Sequence, residues 1–183
     1  MKNDKIYPEI LSMVLITQVS EGLKADLQLS EEHTSCAVIT ATIDDFVFLA
    51  LDEATKKADV DVTYTGSFYG GNPNSSSKLQ GEGIGIFAGK TVASVQAAID
   101  AIYDFYDSRR VYAVSCNDED SIAYLTYTAA SVGTYFAKTM DIPLGCSMAY
   151  LVGPPIESIY AADAADKASN AKMVRFYTPP TKT

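Results

Sequence analysis

The chain contains two related copies of one unit, and this repeat limits the folds that it can adopt. When each position is compared with the position 111 residues further along, apolar blocks, turn residues and several identities coincide without a gap. The identical pairs are Gly22 with Gly133, Ala50 with Ala161, Asp52 with Asp163, Ala54 with Ala165, and Lys56 with Lys167. A unit of this length is a domain rather than a solenoid module. Two fused copies of one domain can build a ring of six similar units from three chains.

The two copies divide the chain into a first domain at residues 1–108 and a second domain at residues 109–183. In this register residue 183 corresponds to residue 72, so the second copy has no counterpart for the strand at 83–87 or the helix at 91–106. We therefore expect the second domain to be incomplete at its C-terminal end, without its terminal strand and helix. Such a loss would expose an apolar face of the second domain.

Apolar periodicity predicts a mixed α/β (α+β) fold. Alternation and β-branched residues predict strands at 11–20, 35–42, 60–64, 83–87, 111–116, 122–128, 147–152 and 172–177. Apolar residues at three- and four-residue spacing predict helices at 21–29, 46–58, 91–106, 131–138 and 156–168. The polar, glycine-rich stretch at 66–77 is the most loop-like part of the chain.

Charge and composition exclude several classes of partner. Fourteen basic and 23 acidic residues give a net charge of −9, which repels nucleic acid and favours cations. No apolar run approaches the roughly 20 residues of a membrane span, and Pro8 and Glu9 interrupt any signal-peptide core. Cys36, Cys116 and Cys146 are widely spaced and odd in number, as expected of reduced thiols. We expect a cytoplasmic protein that binds neither nucleic acid nor membranes.

Asp44 and Asp45 are the most informative polar pair. They stand where a predicted strand turns into a predicted helix, so two carboxylates there can bind a cation or an amine. The alternative is a structural role, because acidic residues in the first turn of a helix favour its dipole by about 0.3–1 kcal/mol. Pro155 and Ile156 occupy the matching positions of the second copy, so the chain has one such pair rather than two.

The remaining polar motifs indicate structure rather than chemistry. The alternating Gly81, Gly83 and Gly85 lie inside a predicted strand, so they favour close packing against a helix over a phosphate loop. His33 follows two glutamates and is expected to be a solvated loop residue without metal-binding partners. Residues 117–120 lack the glycine and the final acidic ligand of a calcium loop. With no nucleophile motif either, no catalytic or metal-binding residue is assigned, and the chain is not expected to be an enzyme.

Several longer motifs carry a resemblance to a known family. They are Asp-Glu-Ala-Thr-Lys at 52–56, Val-Asp-Val at 60–62, Phe-Tyr-Gly-Gly at 68–71, Met-Ala-Tyr-Leu-Val-Gly-Pro-Pro-Ile-Glu at 148–157, and Tyr-Thr-Pro-Pro-Thr at 177–181. Together they resemble, over nearly the whole chain, the EutL-type shell proteins of ethanolamine-utilisation bacterial microcompartments.

The resemblance implies two tandem, circularly permuted microcompartment domains of ferredoxin-like type, with mainly antiparallel sheets flanked by helices. Three chains are expected to form a flat pseudohexameric tile that packs beside other shell proteins. The tile would belong to a microcompartment shell in the cytoplasm and would pass small metabolites through a gated central pore. No cofactor is expected to be required, although ethanolamine and cobalamin are candidate bound ligands by the same resemblance.

The resemblance also assigns roles to particular residues. The gating loops of the central pore match residues 66–78 and 178–183. Their principal members here are Phe68, Tyr69, Gly70, Gly71, Asn72, Pro179, Pro180 and Thr181. Smaller pores, one per subunit, match Asp44, Asp45, Val114 and Ser115. Because family members often carry bulky aromatic residues near the last two positions, the solute of this chain need not be ethanolamine.

Two other functions stay open at this point. The chain could be a small-molecule binding domain that uses Asp44 and Asp45 without any role in a shell, and it would then have a concave apolar pocket. It could also be an interaction module whose exposed second-domain face docks a partner. The scarcity of histidine and the absence of a nucleophile motif favour the shell protein.

Overall fold

Two four-stranded sheets form the framework of the computed structural model, which describes residues 1–68 and 81–177. The strands are β1 (Lys5–Ile6), β2 (Ile10–Ile16), β3 (Ser35–Thr42), β4 (Asp61–Phe68), β5 (Glu82–Gly89), β6 (Ala113–Ser115), β7 (Ala123–Ala129) and β8 (Met148–Val152). The helices are α1 (Glu21–Asp26), α2 (Asp44–Lys57), α3 (Val92–Asp107), α4 (Thr134–Met140) and α5 (Pro155–Ala168). The predicted mixture of antiparallel strands and helices is therefore confirmed.

The first sheet has the strand order β2-β3-β5-β4, and each of its pairings is antiparallel. Strand β3 lies inside this sheet, which explains why its sequence is almost continuously apolar. Helices α2 and α3 cover the sheet and bury residues such as Phe46, Leu51 and Ile102 completely. Acidic residues begin α2 and two lysines end it, so its charges complement the helix dipole.

Glycines in β5 allow α2 to lie unusually close to the sheet. A Cβ atom on Gly83 would lie 2.7 Å from Cγ2 of Val47, and one on Gly85 would lie 2.6 Å from Cδ1 of Leu51. Both distances are far below van der Waals contact. The interpretation of these glycines as packing positions, rather than as a phosphate loop, is confirmed.

The second sheet has the strand order β1-β6-β7-β8. Its first strand comes from the N-terminus, since Lys5 pairs with Val114 and Ile6 pairs with Ala113. Residues within the range assigned to the first domain therefore complete the sheet of the second. The domain boundary at residue 108 stays a prediction.

The strand predicted at 172–177 is wrong. Residues 171–177 are exposed and form no strand, although β-branched and aromatic residues occur among them. A strand requires a neighbouring strand for its backbone hydrogen bonds, and β-propensity alone does not supply one. Elsewhere the predicted elements exist, with ends displaced by a few residues; for example, β2 ends at Ile16 and α1 ends at Asp26.

The repeat is real in three dimensions, but its register changes along the chain. Helices α2 and α5 correspond at both ends with an offset of 111 residues. The N-cap residues Ser20 and Gly133 lie 113 residues apart, and so do the left-handed residues Gln28 and Asp141. The ungapped pairing of Gly22 with Gly133 is therefore wrong, because the second copy is two residues shorter before its long helix.

Candidate functional site

Ile43 lies at the start of the candidate site and has an unusual backbone conformation. It is the N-cap of α2 and has a φ of 58°, a left-handed value that a β-branched residue rarely adopts. Its N–H donates to the carbonyl oxygen of Gly81 at 2.7 Å. This turn leads directly into Asp44 and Asp45, the first two residues of α2.

Asp44 fills the space that a side chain on Gly81 would need. A Cβ atom on Gly81 would lie 2.8 Å from Oδ1 of Asp44, so the glycine leaves room for the carboxylate. The same oxygen accepts a hydrogen bond from the N–H of Asp45 at 3.0 Å. Burial raises the pKa of Asp44, and the hydrogen bonds from Asp45 and Ser67 partly oppose that rise.

Asp45 joins the two domains through a short hydrogen bond. The hydroxyl of Tyr150, on β8, donates to Oδ1 of Asp45 at 2.6 Å. Burial raises the pKa of Asp45 to about 6, and the neighbouring charge of Asp44 adds to the rise, whereas the bond from Tyr150 opposes it. Burial and the nearby carboxylate also raise the pKa of Tyr150, so this hydroxyl stays a donor. The carboxyl of Asp45 therefore exchanges a proton near pH 6.

A small apolar cavity of about 140 Å³ lies between Ile43, the residue before the pair, and residues of the second sheet. Its lining residues are Ile43, Ala113, Ser121, Ala123, Leu125 and Val152. Side chains alternate along a strand, so on β6 Ala113 and Ser115 share one face while Val114 points to the other. The hydroxyl of Ser115 is buried and donates to the carbonyl oxygen of Asn117 at 2.6 Å, which closes the following turn.

Asp44 and Asp45 thus follow a cavity-lining residue, Ile43, but neither is among the residues that line the cavity. Val114 points away from the cavity-lining face of β6. The gating positions Tyr69, Gly70, Gly71 and Asn72, with Pro179, Pro180 and Thr181, lie outside the described residues. The backbone of Phe68 ends β4 opposite Glu82. The gating role of these loops stays a prediction.

One polar stripe of α2 makes the contact with the second domain, and the sequence reasoning missed it. Its members are Asp45, Asp52, Glu53 and Lys56. Oε1 of Glu53 accepts from the hydroxyl of Tyr127 at 2.9 Å, and Nζ of Lys56 donates to the carbonyl oxygen of Ser131 at 3.0 Å. The spacing of seven, eight and eleven residues places these side chains near one side of a helix, which was the available sequence signal.

Asp52 is the buried centre of this stripe. Its carboxylate accepts from the N–H of Gly133 at 2.8 Å and from the N–H of Phe136 at 2.9 Å. Helix α4 begins at a glycine that has no side chain to cap it. Asp52 therefore satisfies both the N-cap and the N3 amide, which are the two donors that a capping box normally satisfies from within the helix.

His33 corrects a further expectation. It is buried rather than solvated, with 6% of its surface exposed. Its Nδ1 accepts from the N–H of Ser30 at 3.2 Å, and its Nε2 lies 3.1 Å from Oδ2 of Asp61. Because Nδ1 accepts, Nε2 carries the proton and donates to Asp61. His33 thus fixes a loop against β4.

Within residues 1–68 and 81–177, no three His, Cys, Asp or Glu side chains are grouped to hold a metal ion. In the same part of the chain, no helix has both the length and the apolar character needed to cross a bilayer. Cys36, Cys116 and Cys146 are all free, and Cys36 is buried.

Comparison with known proteins identifies the family. The BMC domain model matches residues 35–115. The bacterial microcompartment shell protein EutL of Clostridium perfringens is 48% identical over 183 residues, covering 100% of this chain and 84% of the relative. The chain belongs to the EutL family of bacterial microcompartment shell proteins. EutL of Salmonella typhimurium is 35% identical over 98% of this chain and 82% of its own length.

A solved EutL structure agrees with the fold. The ethanolamine utilization protein EutL from Leptotrichia buccalis has 46% identity and a TM-score of 0.89, covering 99% of this chain and 83% of that one. The resemblance inferred from the motifs is thus confirmed, as is the assignment to tandem microcompartment domains. Membership of the EutL family makes the chain a structural component of a microcompartment shell rather than an enzyme.

Proposed function

We propose that three copies of this chain form a pseudohexameric tile, and that the tile admits small polar metabolites to an ethanolamine-utilising microcompartment. The observation that carries the tile is the internal repeat. Two similar domains already pack side by side within one chain, and helix α2 of one holds the start of α4 in the other. Three such chains placed head to tail give six units around an axis. The central gating loops at 66–78 and 178–183 would surround that axis.

We also propose that Asp44 and Asp45 bind the ammonium group of ethanolamine. Two adjacent carboxylates form charge-assisted hydrogen bonds with a primary ammonium ion, and such bonds are stronger than neutral ones. The pKa of about 6 at Asp45 leaves it mostly ionised at neutral pH. Ser115 belongs to the same proposed small pore, because it shares the cavity-lining face of β6 with Ala113. Val114, which the resemblance also assigns to that pore, points to the other face of the strand.

The dimensions of the cavity bear on the competing functions. A volume of about 140 Å³ is smaller than the roughly 300–1,000 Å³ of ordinary ligand pockets. This disfavours a binding domain that encloses its ligand in this cavity, and it suits a small solute in transit. It also excludes cobalamin from this cavity, so we propose cobalamin only as a candidate ligand of the central pore.

The tile is tested by the mass of the particle in solution. Light scattering should give three times the chain mass of 19.7 kDa, and electron microscopy should show a flat ring with pseudo-sixfold symmetry. A monomer at all concentrations would contradict the tile.

The solute site is tested by calorimetric titration with ethanolamine and with ethylene glycol, which has a similar size but no charge. We expect ethanolamine to bind the wild-type chain, and to bind the double variant Asp44→Asn, Asp45→Asn at least tenfold more weakly. Equal weak binding of both solutes by both proteins would contradict the amine site.

A further inference from the structure

Helices α2 and α5 are counterparts that carry the same aspartate–lysine ion pair. The pair on α2 is packed against the second domain, whereas the pair on α5 is exposed to solvent. On α2, Nζ of Lys56 lies 3.7 Å from Oδ2 of Asp52, and that carboxylate is buried. On α5, Nζ of Lys167 lies 2.7 Å from Oδ2 of Asp163, and both side chains are more than half exposed. The second pair has the same four-residue spacing on its helix as the first, but it is exposed.

The pair on α2, Asp52 and Lys56, binds one defined surface of the second domain, residues 131–136. Asp52 accepts from the N–H groups of Gly133 and Phe136, and Lys56 donates to the carbonyl oxygen of Ser131. Because the N-caps of α1 and α4 lie 113 residues apart, the counterpart surface of the first domain is residues 18–23. Most of this surface is exposed, and Val19 is its buried member.

We infer that Asp163 and Lys167 bind residues 18–23 of a neighbouring copy of the chain. This inference rests on the trimer proposed above and assigns its subunit contact. Asp163 accepts from the N–H of Ser20, and Lys167 donates to the carbonyl oxygen of Gln18. Each chain contributes Asp163 and Lys167 to one contact and residues 18–23 to another. The contact is therefore head to tail, and three copies close into a ring.

A second copy of the chain fits Asp163 and Lys167 better than an unrelated partner, because residues 18–23 of this chain carry the backbone groups that the pair would bind. The fit is also looser than the contact within the chain. Gly133 has no side chain, and a Cβ atom there would lie 2.5 Å from the carbonyl oxygen of Asp52. Ser20 does carry a Cβ, and its hydroxyl already accepts from the N–H of Leu23 at 3.4 Å. The subunit contact therefore has a wider separation, and Asp163 accepts from one backbone amide, that of Ser20, where Asp52 accepts from two.

Disulfide trapping tests this contact directly. Ser20 and Asp166 are the counterparts of Gly133 and Thr55, which approach each other closely at the domain contact. After mild oxidation, the double variant Ser20→Cys, Asp166→Cys should give covalent dimers and trimers on a non-reducing gel, and reductant should remove them. The two single-cysteine variants control for cross-linking through Cys36, Cys116 and Cys146. If the double variant is a trimer by light scattering but does not cross-link, this contact is refuted while the tile survives.

A dilution series gives an independent measure. Asp163→Ala removes one charge-assisted acceptor from each subunit contact, so the trimer should dissociate at a concentration about tenfold higher. Glu157→Ala removes the same charge from the same helix, but its counterpart Phe46 faces the core of its own domain, so this control should behave like the wild-type chain. Equal dissociation of both variants and the wild-type trimer would overturn the inference. A wild-type chain that never trimerises would refute the proposed tile as well.

Discussion

Replacing Asp52 with alanine should uncouple the two domains and destabilise the fold. The carboxylate is buried and accepts from two backbone amides at the start of α4. Alanine leaves both donors without this acceptor in a buried place, and a buried unsatisfied donor costs about 1–3 kcal/mol. Relief of the carboxylate's own desolvation offsets part of the loss. We expect the free energy of unfolding to fall by about 3 kcal/mol, a large share of the roughly 5–15 kcal/mol that domains possess.

Urea unfolding followed by far-ultraviolet circular dichroism measures this change, and it suits a chain that has no tryptophan. Protein concentration must be held constant, since assembly adds to apparent stability. Asp104→Ala, on the exposed side of α3, is the matched control and should alter the unfolding free energy by less than about 0.5 kcal/mol. Asp52→Asn should lie between the two, because its amide oxygen can still accept one of the bonds.

Hydrogen exchange locates the effect. In Asp52→Ala the amides of Gly133 and Phe136 should exchange faster, together with the first turn of α4, while the amides of β3 should follow global stability alone. If Asp52→Ala unfolds at the wild-type urea concentration and these amides keep their protection, Asp52 does not cap α4 and the domain contact depends on other residues.

Three further predictions concern the site and its packing. In the folded chain the pKa of Asp45 is about 6, above its unfolded value of 3.8, so the folded state binds more protons between these values. Stability should therefore fall by about 2 kcal/mol as the pH rises from 4 to 6, and Asp45→Asn should remove this dependence in unfolding experiments at several pH values. Tyr150→Phe removes the hydrogen bond that lowers the pKa of Asp45, so the carboxyl should titrate at higher pH by NMR; an unchanged titration would contradict the contact. Gly83→Ala should lower the free energy of unfolding by about 1–3 kcal/mol, because the new methyl group overpacks the core. Gly66→Ala should lower it little, because its methyl group meets only the movable end of the exposed Tyr64. Similar melting temperatures for the two variants would count against the packing argument.

Periodicity and glycine spacing were sufficient to predict most of the first domain. The range of β3 was predicted to the residue, and the glycines of β5 were correctly assigned to packing, because both depend on local patterns of buried residues. The strand at 172–177 failed for the opposite reason. Its local pattern favours a strand, but a strand also needs a hydrogen-bonded neighbour, and that is a property of the whole fold.

The candidate site was only partly accessible from sequence. Adjacent carboxylates at a strand-to-helix turn singled out Asp44 and Asp45, but nothing local indicated that Tyr150 would reach Asp45 from the other domain, 105 residues away. His33 was misjudged because its two glutamate neighbours suggested a solvated turn, whereas its ring is held between Ser30 and Asp61. Contacts between domains are the least predictable from one sequence, since the polar spacing on α2 marks a helix face but does not say which residues of the second domain pack against it.

The two copies differ in a way that bears on how a tile would work. Helix α5 keeps the aspartate and lysine of the α2 stripe, as Asp163 and Lys167, but Asp45 is replaced by Ile156 and Glu53 by Ala164. Asp45 and Glu53 accept hydrogen bonds from Tyr150 and Tyr127 at the contact within the chain, and α5 has no carboxylate at the matching positions. In a ring of three chains the acidic sites would therefore alternate with apolar ones, at three of the six contacts between units. A solute that needs a carboxylate would then have three routes near the domain contacts, each separate from the central axis.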